Sequence, residues 1–339
     1  MTMPLPPVAL AAAMRNEGPY ILEWLAYHQA VGFGSVLICS NDCTDGSDAL
    51  LDRLGEAGEI SHIHNTPAPG QSPQDAAMER VFAALQESEV EWLCHIDSDE
   101  FVQIAHGAGH IDDLMQHCGG ADVIALVWRM FGDNGHGVQT LPVLPNFTAC
   151  EPAPDPETTK FKSLFRFRKF GHANDHRPVA PKSDDIRVVN AAGVRLRNNI
   201  RGNDKRARYH PTDRAIAPGA ACINHYATRA ADDFLMKNDR GDGQGAAGRK
   251  YHLGSAWHRR ANRNEVQDRA ILRHWPAVEA GLARLRALPG VAEAERASLS
   301  WHRARHRAIL TPETRRHWGQ PADALTSGAK APTRTFKES

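Results

Sequence analysis

The chain has 339 residues, 42% hydrophobic and 24% charged, an ordinary composition for a water-soluble protein with one large α/β domain and an appendage, or two domains. Forty basic and forty acidic side chains cancel, so no overall field draws it to nucleic acid or an anionic membrane. Six cysteines without a CxxC pair or zinc spacing argue against a disulfide framework and for a reducing, cytoplasmic setting.

Residues 8–14 (VALAAAM) read as a first strand. No basic run precedes them, which argues against a signal peptide, and no stretch reaches the ~20 apolar residues of a membrane span. Asn16 then stands as a helix cap with Pro19 in the first turn; Ile21, Trp24, Leu25 and His28 share one face until Gly32. Ser35–Ser40 is the second strand, followed by a turn (NDCTDGS) and a short helix from Ser47 to Leu54. Glu59–His64 is the third strand. Ser72-Pro73-Gln74-Asp75 has the form of a capping box opening a helix to about Ser88, and Glu91–Ile96 is the fourth strand.

Strand–helix alternation with short connections implies a mostly parallel sheet flanked by helices, in which ligands bind outside the carboxyl ends of the strands. Polar clusters follow three of those ends: Arg15-Asn16-Glu17, Asn41-Asp42, and Asp97-Ser98-Asp99-Glu100. In an extended segment Asp97 and Asp99 would point the same way, and two such carboxylates suit a hard cation, Mg²⁺ or Mn²⁺, held against substrate phosphates. A solvated acidic turn is the simpler alternative for the pair taken alone. Asn41 and Asp42 can bond a base edge or a ribose hydroxyl, although such residues also make turns and caps, the role given to Asp45. Glu17 suits a ribose or base contact or a first-turn glutamate, and Arg15 a phosphate or a salt bridge.

Beyond residue 130 the pattern loosens. FGDNGHG (131–137) is a glycine-rich loop, and prolines punctuate Pro142–Pro156. Lys160–Phe170 alternates basic and aromatic residues. A strand with one charged face accounts for this better than RNA stacking, given the balanced charge. Residues 171–215 read as long loops. His225 could add an imidazole to the carboxylates, and Arg229 and Lys237 could meet a diphosphate if 232–240 is helical. Asn262 to about Leu310 is basic with helical spacing, a solvated face with peripheral membrane or partner contact as the alternative. Residues 319–339 read as a disordered tail.

Four segments in order resemble one family. MRNEGPYILEWLAYHQAVGFGSVLICSNDCTDGS, HIDSDEFV, WRMFGDNGH and CINHYATRAADDFLMKNDRG are similar to the motifs of glycosyltransferase family 2-like proteins of the GT-A fold, nearest the group that resembles family 92. Departures are Cys43 and Asp133 where serine is usual. The resemblance covers about residues 8–241. It implies a GT-A, Rossmann-like domain over 1–241 (nucleotide half 1–130, acceptor half 131–241); residues 242–318, outside the resemblance, read from their spacing as a helical C-terminal extension. It implies sugar transfer from a nucleoside diphosphate sugar, a UDP-sugar in first place, to a glycan or other hydroxyl acceptor, with Mn²⁺ or Mg²⁺. By position, Glu17 and Asn41 would contact the nucleoside, Asp97 and Asp99 the metal and ribose, His225 the metal or diphosphate, and Lys237 a phosphate. Asp133, Glu100 and His136 are the candidates for the catalytic base or a polar contact beside it. Two other readings stay open. A nucleotidyltransferase would want a glycine-rich basic loop where this chain has AAAMRNEGPY, and a non-catalytic partner-binding protein would not need Asp97, Asp99 and His225 intact.

Overall fold

The computed structural model describes residues 7–197, 207–240 and 248–319. The first half runs β1 (Val8–Met14), α1 (Gly18–Val31), β2 (Ser35–Ser40), α2 (Ser47–Glu56), β3 (Ser61–His64), α3 (Pro73–Gln86) and β4 (Trp92–His95). Next come β5 (Glu100–Ile104), α4 (Ile111–His117), β6 (Val123–Met130), α5 (Val143–Asn146), β7 (Ala149–Cys150) and β8 (Phe161–Arg166). The remainder holds β9 (Phe170–Ala173), β10 (Pro178–Pro181), β11 (Val188–Asn190), α6 (Thr212–Ala215), β12 (Ala221–His225) and α7 (Ala231–Arg240). It closes with α8 (Ala256–Ala261), β13 (Val266–Gln267), α9 (Trp275–Arg286), α10 (Val291–Ile309) and α11 (Pro312–Gly319).

The main sheet has the order β3-β2-β1-β4-β8-β6-β12-β5, with β11 also on β6. Pairs β1–β2, β1–β4, β2–β3, β6–β12 and β6–β11 are parallel; β4–β8, β6–β8 and β12–β5 are antiparallel. The fold is therefore mixed α/β with a mostly parallel sheet. Because β8 is antiparallel to both neighbours, β6 and β12 run with β1, β2 and β4, and all five end at one edge. The beginnings of β8 and β5 reach that same edge, so strand direction gathers residues 14–17, 41–42, 97–100, 160–162 and 225–227 there.

The alternation along β1 serves two layers. Leu10, Ala12 and Met14 join a core with Trp24, Leu25, Leu50 and Leu54, while Ala9 and Ala11 join a second with Ala77, Val81 and Leu85 of α3. Val278, Leu282 and Leu285 of α9 and Val291 of α10 belong to the first core, so the C-terminal helices cover the outer side of α1. At Gly18 any Cβ would overlap the Ser298 side chain of α10, which is how closely α10 approaches the start of α1. All six cysteines are free thiols, and no helix among the described residues is long and apolar enough to cross a membrane.

Several local expectations are corrected. The residue at the cap position of α1 is Glu17, and Asn16, with φ +53°, instead exchanges hydrogen bonds with Thr44. Ser72 does occupy the N-cap of α3, but its side chain makes no cap bond, so no capping box forms. Lys160–Phe170 is not one strand: β8 ends at Arg166, a 3₁₀ turn follows, and β9 pairs with β10 inside the segment expected to be loop. Phe161, Phe165 and Phe167 are fully buried in the second core and present no ring to a nucleobase. The expected tail, apart from Gly319, lies outside the described residues.

Candidate active site

At the gathered edge lies a cavity of about 320 Å³ lined by Arg15, Glu17, Asn41, Asp42, Asp97, Asp99, His225 and Lys237 among others. Asp97 and Asp99 are not on an extended segment. The Glu100 N–H donates to the Asp97 carbonyl at 3.1 Å, closing a turn, and the Asp97 N–H donates to Glu100 Oε2 at 2.9 Å. From α1 the Trp24 indole N–H reaches the carbonyls of both Asp97 (3.2 Å) and Glu100 (3.0 Å). The two acids face the cavity because this turn is pinned, and Glu100 is one of the pins.

Each acid has its own lysine. Lys162, wholly buried, places Nζ 3.3 Å from Asp97 Oδ2, 3.4 Å from Glu100 Oε2 and 2.6 Å from the Asp175 carbonyl. Lys237 of α7 places Nζ 2.7 Å from Asp99 Oδ2 and 2.7 Å from the Ala227 carbonyl. His225 Nε2 lies 3.4 Å from Asp99 Oδ1, and its ring packs on Trp128 with centroids 4.3 Å apart. Burial alone would raise the Asp99 carboxyl, but Lys237 and His225 hold it well below the ordinary range. Burial drives Glu100 the other way, well above it, despite Lys162. Burial likewise keeps His225 below the usual histidine value even beside Asp99.

Asp97 and Asp99 offer the oxygen donors a hard divalent ion takes; His225 brings Nε2 to Asp99, and its buried Nδ1 has no hydrogen-bond partner. The three do not bring one donor atom each within 4.8 Å of one another, so an ion would have to draw them together. Asp97 keeps 29% of its side chain exposed, with Oδ1 3.4 Å from Gln74 Nε2. A bound ion would compete with Lys162 and Lys237 for these carboxylates.

No family model matches the chain. A curated relative, a glycosyltransferase family 92 protein of Ricinus communis, is 24% identical over 131 residues, 38% of this chain and 23% of that protein. The chain is similar to a glycosyltransferase. The match spans about a quarter of that relative's length. Among solved structures, S. aureus TarS in complex with UDP aligns over 47% of this chain and 46% of that chain, at 19% identity and a TM-score of 0.31. The mannosyltransferase PcManGT from Pyrobaculum calidifontis, in complex with GDP-Man and Mn²⁺, aligns over 92% and 83%, at 13% identity and a TM-score of 0.33.

Of the other residues singled out by sequence, Glu17 is clamped by Arg229 (3.0 Å) and by Arg240. Asn41 spends both ends of its amide on Asn65: its Nδ2 donates to the Asn65 carbonyl (3.1 Å) and its Oδ1 accepts from Asn65 Nδ2 (2.7 Å). Arg15 and Asp42 are exposed at the rim. Arg229 does not line this cavity. Its guanidinium sits 3.4 Å over the Tyr20 ring and donates to the Ser98 carbonyl, bracing the turn from behind.

Asp133, His136 and Glu100 do not line it either. Asp133 accepts from Asn262 Nδ2 (2.8 Å) and from the Gly135 N–H (2.9 Å), stitching the glycine loop to residues 262–264. His136 packs on Phe147 with Nε2 3.3 Å from the Asn146 carbonyl. Glu100 is sealed beneath the turn.

Sequence reasoning passed over one whole wall. Trp128, Lys160, Asp175, His176, Lys250, Tyr251, Trp257 and Arg260 line the cavity. Lys160 Nζ stands 5.4 Å over Trp128; Lys250 and Arg260 each stand 5.7 Å from Trp257. Burial, with Arg260 next, lowers the Lys160 ammonium below its ordinary value. Cations beside aromatic faces were the available signal in Lys160–Phe170 and Lys250–Arg260, but the second stretch lies outside the family-like motifs.

Proposed function

We propose that this chain is a glycosyltransferase that moves a sugar from a nucleoside diphosphate sugar, a UDP-sugar in first place, to a hydroxyl acceptor. The observation that carries the reading is the pinned Asp97–Glu100 turn, which turns Asp97 and Asp99 toward His225 and Lys237 at the carboxyl edge of a mostly parallel sheet. Similarity to a family 92 glycosyltransferase over part of the chain supports it. The nucleoside end belongs with Arg15, Glu17, Asn41 and Asp42, and the sugars with the Trp128–Trp257 wall, where flat aromatic faces suit the apolar faces of a saccharide. Asp97, Asp99 and His225 would hold Mn²⁺ or Mg²⁺, which when bound supplies neutralisation of the leaving diphosphate. Lys237 adds a cation at the same place, and one positioned charge of this kind lowers a barrier more in a water-poor pocket than in solution.

The test is thermal unfolding with UDP, GDP or CDP, each with and without Mn²⁺, on the native chain and on Asp97→Asn/Asp99→Asn. A nucleotide at a hundred times its dissociation constant adds about 2.7 kcal/mol. Manganese-dependent stabilisation by one nucleotide, lost in the variant, is the expected result; no stabilisation by any nucleotide overturns the reading. A second reading is favoured by the lysine on each carboxylate: a site that binds its nucleotide without a metal, in a transferase or in a partner-binding protein on this scaffold. Stabilisation that is equal with Mn²⁺ and with chelator would select it.

A further inference from the structure

Away from the cavity, on the β3 edge of the sheet, two histidines and an aspartate converge. β3 is a four-residue strand with β2 as its sheet neighbour. His62 and His64 are two apart on it and therefore project to the same side. α2 crosses that side and presents Asp52. His62 Nδ1 lies 2.7 Å, and His64 Nε2 2.9 Å, from the same oxygen, Asp52 Oδ1. One donor atom from each of the three residues lies within 4.8 Å of the others, and the two rings are 4.3 Å apart.

We propose that Asp52, His62 and His64 form a binding site for a divalent transition-metal ion, of the Zn²⁺ class, separate from the cavity and independent of the transferase reading. The donor set selects the ion: two imidazole nitrogens against one carboxylate suit Zn²⁺ and its neighbours, whereas Mg²⁺, Ca²⁺ and Mn²⁺ sites are built mainly of oxygen. Three protein ligands leave a fourth position of a tetrahedral ion to water or an outside group. The site is also oriented from behind. His62 is only 4% exposed, and its far nitrogen, Nε2, lies 2.9 Å from Ser40 Oγ, the hydroxyl at the end of β2. A histidine that ligates through Nδ1 needs its other N–H held by an acceptor, and Ser40 is that acceptor. On the open side His64 is 63% exposed and Asp52 46%, so an ion can enter without disturbing the core.

Bound there, the ion would tie α2 to the edge strand next to the cavity. His64 is followed by Asn65, whose side chain pairs with Asn41, and Ser40 precedes Asn41. The site thus adjoins the backbone that sets Asn41 at the cavity rim.

The experiment uses Co²⁺ as a spectroscopic stand-in for Zn²⁺, added to the native full chain, with His64→Ala as the difference sample so that any ion at the cavity acids cancels. A one-to-one visible d–d absorption, displaced by Zn²⁺ and accompanied by a rise in unfolding temperature, is expected. His64→Ala, at an exposed position that leaves the fold intact by circular dichroism, should weaken Co²⁺ binding by at least about tenfold; Ser40→Ala should weaken it by roughly the same factor through loss of the orienting contact. No Co²⁺ absorption, or an absorption unchanged by His64→Ala, overturns the proposal.

Discussion

Lys237 Nζ sits 2.7 Å from Asp99 Oδ2, a pair that joins residues 138 apart in the chain and sets the charge at a largely buried acid of the cavity. Because both partners are largely buried, removing one strands the other in a poor solvent for charge. Lys237→Met should therefore lower unfolding stability by about 3 kcal/mol in urea titrations. Adding Asp99→Asn should restore at least about 1 kcal/mol of it, a coupling that independent sites would not show. Equal losses in the single and double variants would refute the pairing argument.

On the transferase reading we propose Asp175 as a further candidate for proton transfer, because it lines the cavity at the aromatic wall, with Oδ2 3.5 Å from His176 Nε2. Asp175→Asn should cut turnover by roughly 10²–10⁴-fold while leaving nucleotide-dependent thermal stabilisation unchanged. Equal loss of both readouts would make it a donor-binding residue.

Asp45 joins three helices. It accepts from the Gly18 N–H (3.2 Å) at the start of α1, from the Ser47 N–H (2.8 Å) at the start of α2, and from Ser298 (3.1 Å) and His302 (2.7 Å) of α10. Burial works against its charge, but His302 and Ser47 prevail and bring the carboxyl down to about 2. A depressed carboxyl contributes stability that is complete above its unfolded value and is lost as pH falls through the folded one. The native chain should thus lose roughly 2 kcal/mol from this group between about pH 4 and pH 2. Asp45→Asn should start lower and show a flatter decline over that window in acid titrations of unfolding.

Asp133 separates a loop-building role from a chemical one. Asp133→Ala removes the acceptor for Asn262 and for the Gly135 N–H. It should cost about 1–3 kcal/mol of stability and leave nucleotide affinity and turnover of the remaining folded protein near native. A folded Asp133→Ala protein with turnover down a hundredfold would return Asp133 to the chemistry.

The strand–helix alternation was legible because apolar periodicity reports burial residue by residue. β1, α1, β2 and α3 fall within a few residues of where VALAAAM, the Trp24 face, SVLICS and the Pro73 start placed them. The convergence of Arg15, Glu17, Asn41, Asp42, Asp97 and Asp99 on one cavity followed from a single rule, that parallel strands collect their carboxyl ends, and His225 and Lys237 join them from β12 and α7. Asn16 and Ser72 read as caps from their type alone, yet their side chains do not cap: Asn16 bonds the next loop, and Ser72 makes no cap bond. Local patterns do not reveal which of several partners a short polar side chain will meet.

What the sequence by itself determined is the class of architecture and the acids that follow its strands, since these depend on spacing within each segment, whereas His225 and Lys237 were placed at the edge by the family resemblance. Only the tertiary structure decided who neutralises whom. Lys162 meets Asp97 because β8 lies antiparallel to β4, and Arg229 turns to Glu17 and Tyr20 rather than to the cavity. The wall from Trp128 to Arg260 forms because residues far apart in the chain close over the same edge. Those contacts span 65 to more than 200 residues. Strand order and direction set them, and no local periodicity carries that information.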